Sequence, residues 1–194
     1  GGGGVWGGNF NPVHLAHLVM ADQVQNQLGL DKVYLMPTYL PPHVDEKKTI
    51  SSEHRLAMLE LAVADNPCLD IEPIELIRKG KSYTYDTMKA LKEANPDTDY
   101  YLIIGGDMVE YLPKWHRIDD LLHLVQFVGI RRPNYPTEST YPIIWVDVPQ
   151  MAISSTLIRQ KVKSGCSTRY LLPENVINYI QEKGLYQDEL DNKL

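Results

Sequence analysis

The sequence predicts an α/β protein: a mainly parallel, doubly wound sheet with helices on both faces. Three observations predict it. Short apolar runs without polar alternation recur along the chain, as strands buried on both faces do. Segments of helical length, with caps at their ends, lie between them. The chain has 194 residues, enough for one domain with a core of its own.

At the start of the chain, Gly1-Gly2-Gly3-Gly4 is a weak beginning for a first strand, because glycine offers nothing to pack on a pleat; no functional weight rests on it. His14 to Leu28 reads as a helix, with Leu15, Leu18, Val19, Val24 and Leu28 near helical spacing and Gly29 just past its end. Lys32 to Met36 is a strand stopped by Pro37. Ser52 to Ala64 is a helix with Leu56, Leu59 and Val63 inward and Glu53 in its first turn, where the helix dipole favours a carboxylate. Leu69 to Ile74 is a weaker strand, interrupted by Pro73. Helix Thr84 to Ala94, strand Asp99 to Ile104, helix Ile118 to Leu124 and strand Val125 to Ile130 come next. Pro133 to Pro142 reads as a surface loop, then Ile143 to Val148 as a last strand. Ser154 to Lys163 is a helix with two serines available as caps, ended by Gly165. A final helix runs from Pro173, suited to a first helical position, to Lys183 before Gly184. The division expected is a single domain 1–194, with a sheet-bearing core 1–150 and a small C-terminal helical part 151–194.

Composition narrows the function classes. Hydrophobic residues are 43% and charged residues 23%, ordinary for a globular chain. The net charge of −6 argues against a nucleic-acid partner, whose backbone selects basic proteins. It leaves room for a small anion in a locally positive pocket. No apolar run approaches the ~18 residues that span a bilayer, so no membrane role is expected. Cys68 and Cys166 lie far apart without a CxxC pattern and read as reduced thiols. No basic stretch followed by an apolar one opens the chain, so the cytoplasm is the expected location.

Two constellations carry chemistry. The first is Gly7-Gly8-Asn9-Phe10-Asn11-Pro12-Val13-His14-Leu15-Ala16-His17. Glycines at a strand end let a backbone approach a ligand closely. The helix that comes after them exposes free N–H groups at its start, which favour an anion. His14 and His17 share one face of its first turn and can donate to phosphate oxygens. A zinc site would need further ligands that no nearby cluster supplies. The second is Ile153-Ser154-Ser155-Thr156-Leu157-Ile158-Arg159: hydroxyls at a helix start, and one turn on a guanidinium fork able to grip a polyphosphate. Taken alone it is also the pattern of an ordinary capped helix. Gly80-Lys81-Ser82 is not a P-loop, since that motif needs glycine where Glu75 stands.

Together, Gly-x-Phe-Asn-Pro-x-His-x-x-His and Ile-Ser-Ser-Thr-x-x-Arg resemble the two signatures of the nucleotidyltransferase superfamily. Further segments resemble bacterial nicotinate mononucleotide adenylyltransferases: Pro41-Pro42-His43, Ser82 to Thr87, Ile104-Gly105-Gly106-Asp107-Met108, Leu112-Pro113-Lys114-Trp115, Arg132-Pro133 and Tyr170-Leu171-Leu172-Pro173. The similarity runs from Gly7 to about Tyr186. It implies a Rossmann-like fold and the joining of nicotinate mononucleotide to the AMP moiety of ATP, giving deamido-NAD and pyrophosphate. The mononucleotide 5′-phosphate attacks the α-phosphorus directly, and Mg²⁺ rides on the ATP phosphates rather than on protein ligands.

The resemblance also implies roles. His14, His17 and Arg159 would be catalytic, with His17 placed at the α-phosphoryl group. Gly8, Asn9 and Phe10 would line the passage between the nucleotides through backbone and side chain. Ile153, Ser154, Ser155, Thr156 and Arg159 would hold the phosphates; Gly105, Asp107 and Arg132 would serve the adenosine side. Asp107 has a competing reading as a helix N-cap. Trp115 would stack on the pyridine ring, or else be a core tryptophan. Thr84 and Tyr85, at a helix start, would receive the nicotinate carboxylate, with Asn9 and Phe10 also on the mononucleotide. Three departures stand out: Asn11 where the family very often has Asp, Val44 where Lys is common after Pro-Pro-His (with Lys47 and Lys48 as substitutes), and the opening glycines. The sequence leaves other readings open: nicotinamide mononucleotide or pantetheine phosphate as acceptor, a non-catalytic nucleotide-binding module, and a homo-oligomer as well as a monomer.

Overall fold

The computed structural model describes residues 1–39 and 50–187. Six strands form one sheet in the order β3-β2-β1-β4-β5-β6, and every pairing is parallel. The strands are β1 (Gly2–Gly8), β2 (Lys32–Pro37), β3 (Leu69–Ile71), β4 (Asp99–Gly105), β5 (Val125–Ile130) and β6 (Ile143–Val146). The helices are α1 (Leu15–Leu28), α2 (Ser52–Val63), α3 (Ile74–Arg78), α4 (Thr84–Ala94), α5 (Ile118–Leu124), α6 (Ser155–Ser164) and α7 (Glu174–Lys183). A 3₁₀ helix spans Gly106–Lys114.

Strand residues alternate between two cores, one on each face. Val33, Leu35, Ile103, Val128 and Ile130 meet α1, α2, α6 and α7 through Val24, Met58, Ile158 and Val176. Val5, Met36, Leu102, Ile104 and Phe127 meet α4, α5 and the 3₁₀ helix through Met88, Leu121 and Leu112. This is the doubly wound arrangement. The chain order reverses between β1 and β4, and ligands of such sheets bind beyond the strands' carboxyl ends there.

The elements match expectation closely, with instructive differences. β1 is a central strand although three of its first residues are glycine. Ladders from β2 and β4 on its two sides impose the extended form. A Cβ on Gly4 would lie 2.9 Å from Val33 and 3.1 Å from Leu30, so the neighbours have closed over it. The weak strand at Leu69 ends at Ile71, and Pro73 caps α3, a short helix that the sequence does not announce. Pro173 is the N-cap of α7 rather than its first helical residue. β6 ends at Val146, two residues early. Gly80, in its Lys-Ser context, lies in a turn with φ +70°. The segment Pro41-Pro42-His43, Val44 and Lys47-Lys48 lies outside the described residues.

Candidate active site

The segments beyond the carboxyl ends of β1, β4, β5 and β6 build the site. The chain leaves β1 through Gly8 and turns at Phe10, whose φ is +46°. The Phe10 ring does not line a passage: it is 2% exposed and belongs to the core, edge-on to Trp6 at 5.9 Å and to His17 at 4.9 Å. This corrects the expectation for its side chain; only its backbone is free to serve a ligand. Asn9 is tied to the segment just past β2, its side-chain oxygen accepting from the Thr38 hydroxyl at 2.7 Å.

His14 is the N-cap of α1 and its backbone N–H donates to Nδ1 of His17, at position N3, at 3.1 Å. This bond sets the tautomer: with Nδ1 accepting, the neutral His17 ring carries its proton on Nε2. The imidazoles stack with centroids 3.7 Å apart. Burial pushes His14 from 6.5 down to about 4. Burial, with the neighbouring His14, pushes His17 down to about 3. Both rings are therefore neutral near pH 7. His14 Nδ1 is buried without a partner among the described residues.

The second constellation faces the first. Ser154 is the N-cap of α6, its hydroxyl accepting from the Leu157 N–H at 3.1 Å. Ser155 donates to the Pro12 carbonyl at 2.8 Å. Arg159 donates from Nη1 to the Asn11 carbonyl at 2.8 Å and from Nη2 to the Thr156 hydroxyl at 3.2 Å. A cavity of about 290 Å³ lies between the two segments. His14, His17, Ile153, Ser154, Ser155 and Arg132 line it together with Trp6, Met20 and Gln150. None of its lining residues is acidic. Arg132, paired with Asp107, is the one full positive charge among the described residues that line it, and the starts of α1 and α6 add the partial positive charge of helix N-termini. Thr156 and Arg159 are not among its lining residues; Arg159 joins it through the loop that it and Ser155 hold.

Arg132 comes after β5, and its Nε lies 3.7 Å from the Asp107 carboxylate. Asp107 is not an N-cap: Gly105 caps the 3₁₀ helix and Asp107 sits in its first turn. Gly106 has no room for a side chain, since a Cβ would lie 2.7 Å from the Ile130 carbonyl.

Thr84 and Tyr85 begin α4 behind the N-cap Tyr83. The Tyr85 ring is buried in the second core, with the Arg117 guanidinium 4.2 Å above it. Trp115 is half-buried, edge-on to Phe127 at 6.0 Å. The Tyr83 and His116 rings, 4.2 Å apart, bring the start of α4 beside the end of the 3₁₀ helix. Thr84 and Trp115 are thus neighbours by segment, though neither lines the 290 Å³ cavity.

Sequence reasoning missed Trp6, Arg55, Tyr186 and the Tyr83–His116 pair. For Arg55 a signal existed: it shares the inward stripe Arg55, Met58, Leu59, Ala62, where an arginine is out of place. Tyr186 explains Asn11. Its hydroxyl donates to Asn11 Oδ1 at 2.7 Å inside the protein. A carboxylate would accept the same bond, so the departure from Asp keeps the geometry and drops a charge.

Residues 5–161 match the family described as cytidylyltransferase-like. The chain is 98% identical over 191 residues to a probable nicotinate-nucleotide adenylyltransferase of Enterococcus faecalis (strain ATCC 700802 / V583), covering 98% of this chain and 87% of that protein. The chain belongs to the nicotinate-nucleotide adenylyltransferase family. A second member of that family, from Streptococcus pneumoniae serotype 4, is 62% identical over 183 residues, covering 94% of this chain and 88% of its own length. The fold recurs in a solved nicotinic acid mononucleotide adenylyltransferase of Plasmodium falciparum complexed with APC. That structure has a TM-score of 0.77 at 18% identity, covering 95% of this chain and 96% of its own. The same enzyme complexed with NaAD gives 0.76 at 18% identity, covering 95% and 97%.

Proposed function

We propose that this chain transfers the AMP moiety of ATP to nicotinate mononucleotide, giving deamido-NAD and pyrophosphate in NAD biosynthesis. The observation that carries it is the cavity without acidic lining in which both family signatures meet, in a chain 98% identical to its E. faecalis relative. The mononucleotide phosphate is already a nucleophile, so the protein's task is alignment and charge neutralisation. The triphosphate lies over the start of α1 and reaches α6. His17 donates from Nε2 to the α-phosphoryl oxygen as charge develops. The Thr156 hydroxyl and the N–H groups at the start of α6 receive the outer phosphates, with Arg159 and the Ser155 hydroxyl fixing the loop beneath them. Arg132 and Asp107 serve the adenosine side. The start of α4 takes the nicotinate carboxylate, and Trp115 offers a π-face to the cationic pyridine ring.

Mg²⁺ enters bound to ATP. Among the described residues no group of three His, Cys, Asp or Glu side chains is placed to hold a metal ion. Among the same residues no helix is long and apolar enough to cross a membrane, and the proposed setting is the cytoplasm.

Pyrophosphate release with Mg-ATP and each acceptor tests the reading. Release is expected with nicotinate mononucleotide, with weak or no release for nicotinamide mononucleotide and pantetheine phosphate. Comparable rates with the two mononucleotides would overturn the role given to α4, and binding without turnover would overturn the enzyme.

A further inference from the structure

A deeply buried arginine next to the site is unused by this chemistry. Arg55, in α2, is 1% exposed and is among the largest fully buried side chains of the protein. Burying a guanidinium is costly unless its N–H groups find acceptors in good geometry. The Nε of Arg55 is buried without a partner among the described residues, and its two terminal nitrogens have specific acceptors. Nη1 donates to the Asn9 carbonyl at 2.8 Å, and Nη2 donates to the Ser52 hydroxyl at 3.2 Å.

Arg55 therefore mirrors Arg159. One arginine from α2 takes the carbonyl of Asn9; another from α6 takes the carbonyl of Asn11. Between the two grips stands Phe10 in the left-handed region, at φ +46°, a conformation an aromatic residue keeps only where its surroundings over-determine it. The Asn11 side chain is held in turn by the buried Tyr186 hydroxyl. The peptide between Asn9 and Phe10 is trans, so its C=O and N–H point in opposite directions. Holding the carbonyl on Arg55 turns the Phe10 N–H to the other side of the loop.

We propose that Arg55 is a positioning residue for adenylyl transfer: it anchors the Asn9 carbonyl, fixes the strained Phe10 turn and so sets where the loop presents its Phe10 N–H and the His14–His17 pair beyond it. The inference rests on the proposed reaction. A core arginine with no part in function would matter to folding alone, and the two roles separate in kinetics.

The variants are Arg55→Met, Arg55→Lys and Ser52→Ala, assayed for pyrophosphate release with Mg-ATP and nicotinate mononucleotide beside thermal unfolding. Arg55→Met is expected to lower kcat by about 10–100-fold, the scale of a small misplacement at a reacting centre, with KM for ATP changed much less. Arg55→Lys restores one donor to Asn9 and is expected to recover part of kcat. Ser52→Ala keeps Arg55 but frees one end of its fork; a fall in kcat by a few fold at an unchanged unfolding midpoint is expected. A native kcat in folded Arg55→Met overturns the proposal. If that variant does not fold, a native kcat in Ser52→Ala overturns it instead. Absence of turnover by the native chain would sink the proposed reaction, a result distinct from either.

Discussion

Arg159 and Asn11 are 148 positions apart in sequence and joined by a 2.8 Å hydrogen bond from Nη1 to a backbone carbonyl. That bond, with the one from Ser155 to Pro12, closes the gap between the loop after β1 and the helix after β6. The C-terminal helical part is thereby a wall of the cavity. The sequence pattern has Arg159 gripping phosphate. In the structure one N–H of Nη1 goes to the loop and one of Nη2 to Thr156, which orients the fork and leaves its other donors for a ligand, and its Nε is buried without a partner among the described residues.

Replacing Arg159 should thus damage geometry as well as charge. Arg159→Lys keeps the charge but cannot span Asn11 and Thr156 together. It is expected to lose at least about 10-fold in kcat/KM for ATP, the scale of one charge-assisted hydrogen bond. Arg159→Ala should lose more. Steady-state pyrophosphate release decides, and a lysine variant at native efficiency would show that only charge matters at this position.

His17 presents a neutral Nε2–H, its other nitrogen occupied by the His14 backbone. Its ring is wedged among Trp6, Phe10 and His14. Such a held donor costs little reorganisation during reaction. His17→Ala should lower kcat by at least ~10²-fold, the lower range for losing one oxyanion-type donor, with a smaller change in KM. A near-native kcat would remove His17 from the α-phosphoryl group.

The fold was legible because parallel strands buried on both faces read as unbroken apolar runs, and Val125–Ile130, Thr84–Ala94 and Ile118–Leu124 fall where the sequence puts them. The short helix Ile74–Arg78 and the 3₁₀ helix were not legible: five residues show no period, and Pro113 lies inside the latter. The two signatures pointed to one cavity. What sequence could not supply was direction. Nothing in the pattern says that Phe10 turns into the core, which a left-handed backbone decides, or that Asn11 answers Tyr186 and Arg55 reaches back to Asn9, which are contacts over tens of residues.

The glycines at the strand ends divide into those that need to be glycine and those that do not. A Cβ on Gly106 would strike a backbone carbonyl at 2.7 Å, whereas on Gly7 its nearest neighbour is Met36 at an ordinary 3.5 Å. Gly106→Ala must shift β5 or the 3₁₀ helix and should cost roughly 1–3 kcal/mol, the scale of overpacking. Gly7→Ala is expected to be neutral or to gain up to about 1 kcal/mol from a less flexible unfolded chain. Urea unfolding of both variants measures this, and equal effects would mean that the strand end is looser than its spacing indicates.

The two stacked histidines make stability and ligand binding depend on pH with opposite sense. In the unfolded chain each ring takes up a proton as pH falls through 6.5; in the folded chain His14 waits until about 4 and His17 until about 3. Between those values the unfolded state binds more protons, so stability present above pH 6.5 is lost as pH falls. The loss is about 1.4 kcal/mol per pH unit for each ring. Unfolding midpoints of the native chain should therefore drop more steeply between about pH 7 and 5 than those of a His14→Asn, His17→Asn double variant. A bound triphosphate acts the other way. Its oxygens favour imidazolium, raise both values and draw protons in on binding. Calorimetry of Mg-ATP binding at about pH 5.5, in two buffers of different ionisation heat, should register net proton uptake. If the double variant takes up as many protons as the native chain, the anion does not lie against these rings, and the placement of the triphosphate over the start of α1 is wrong.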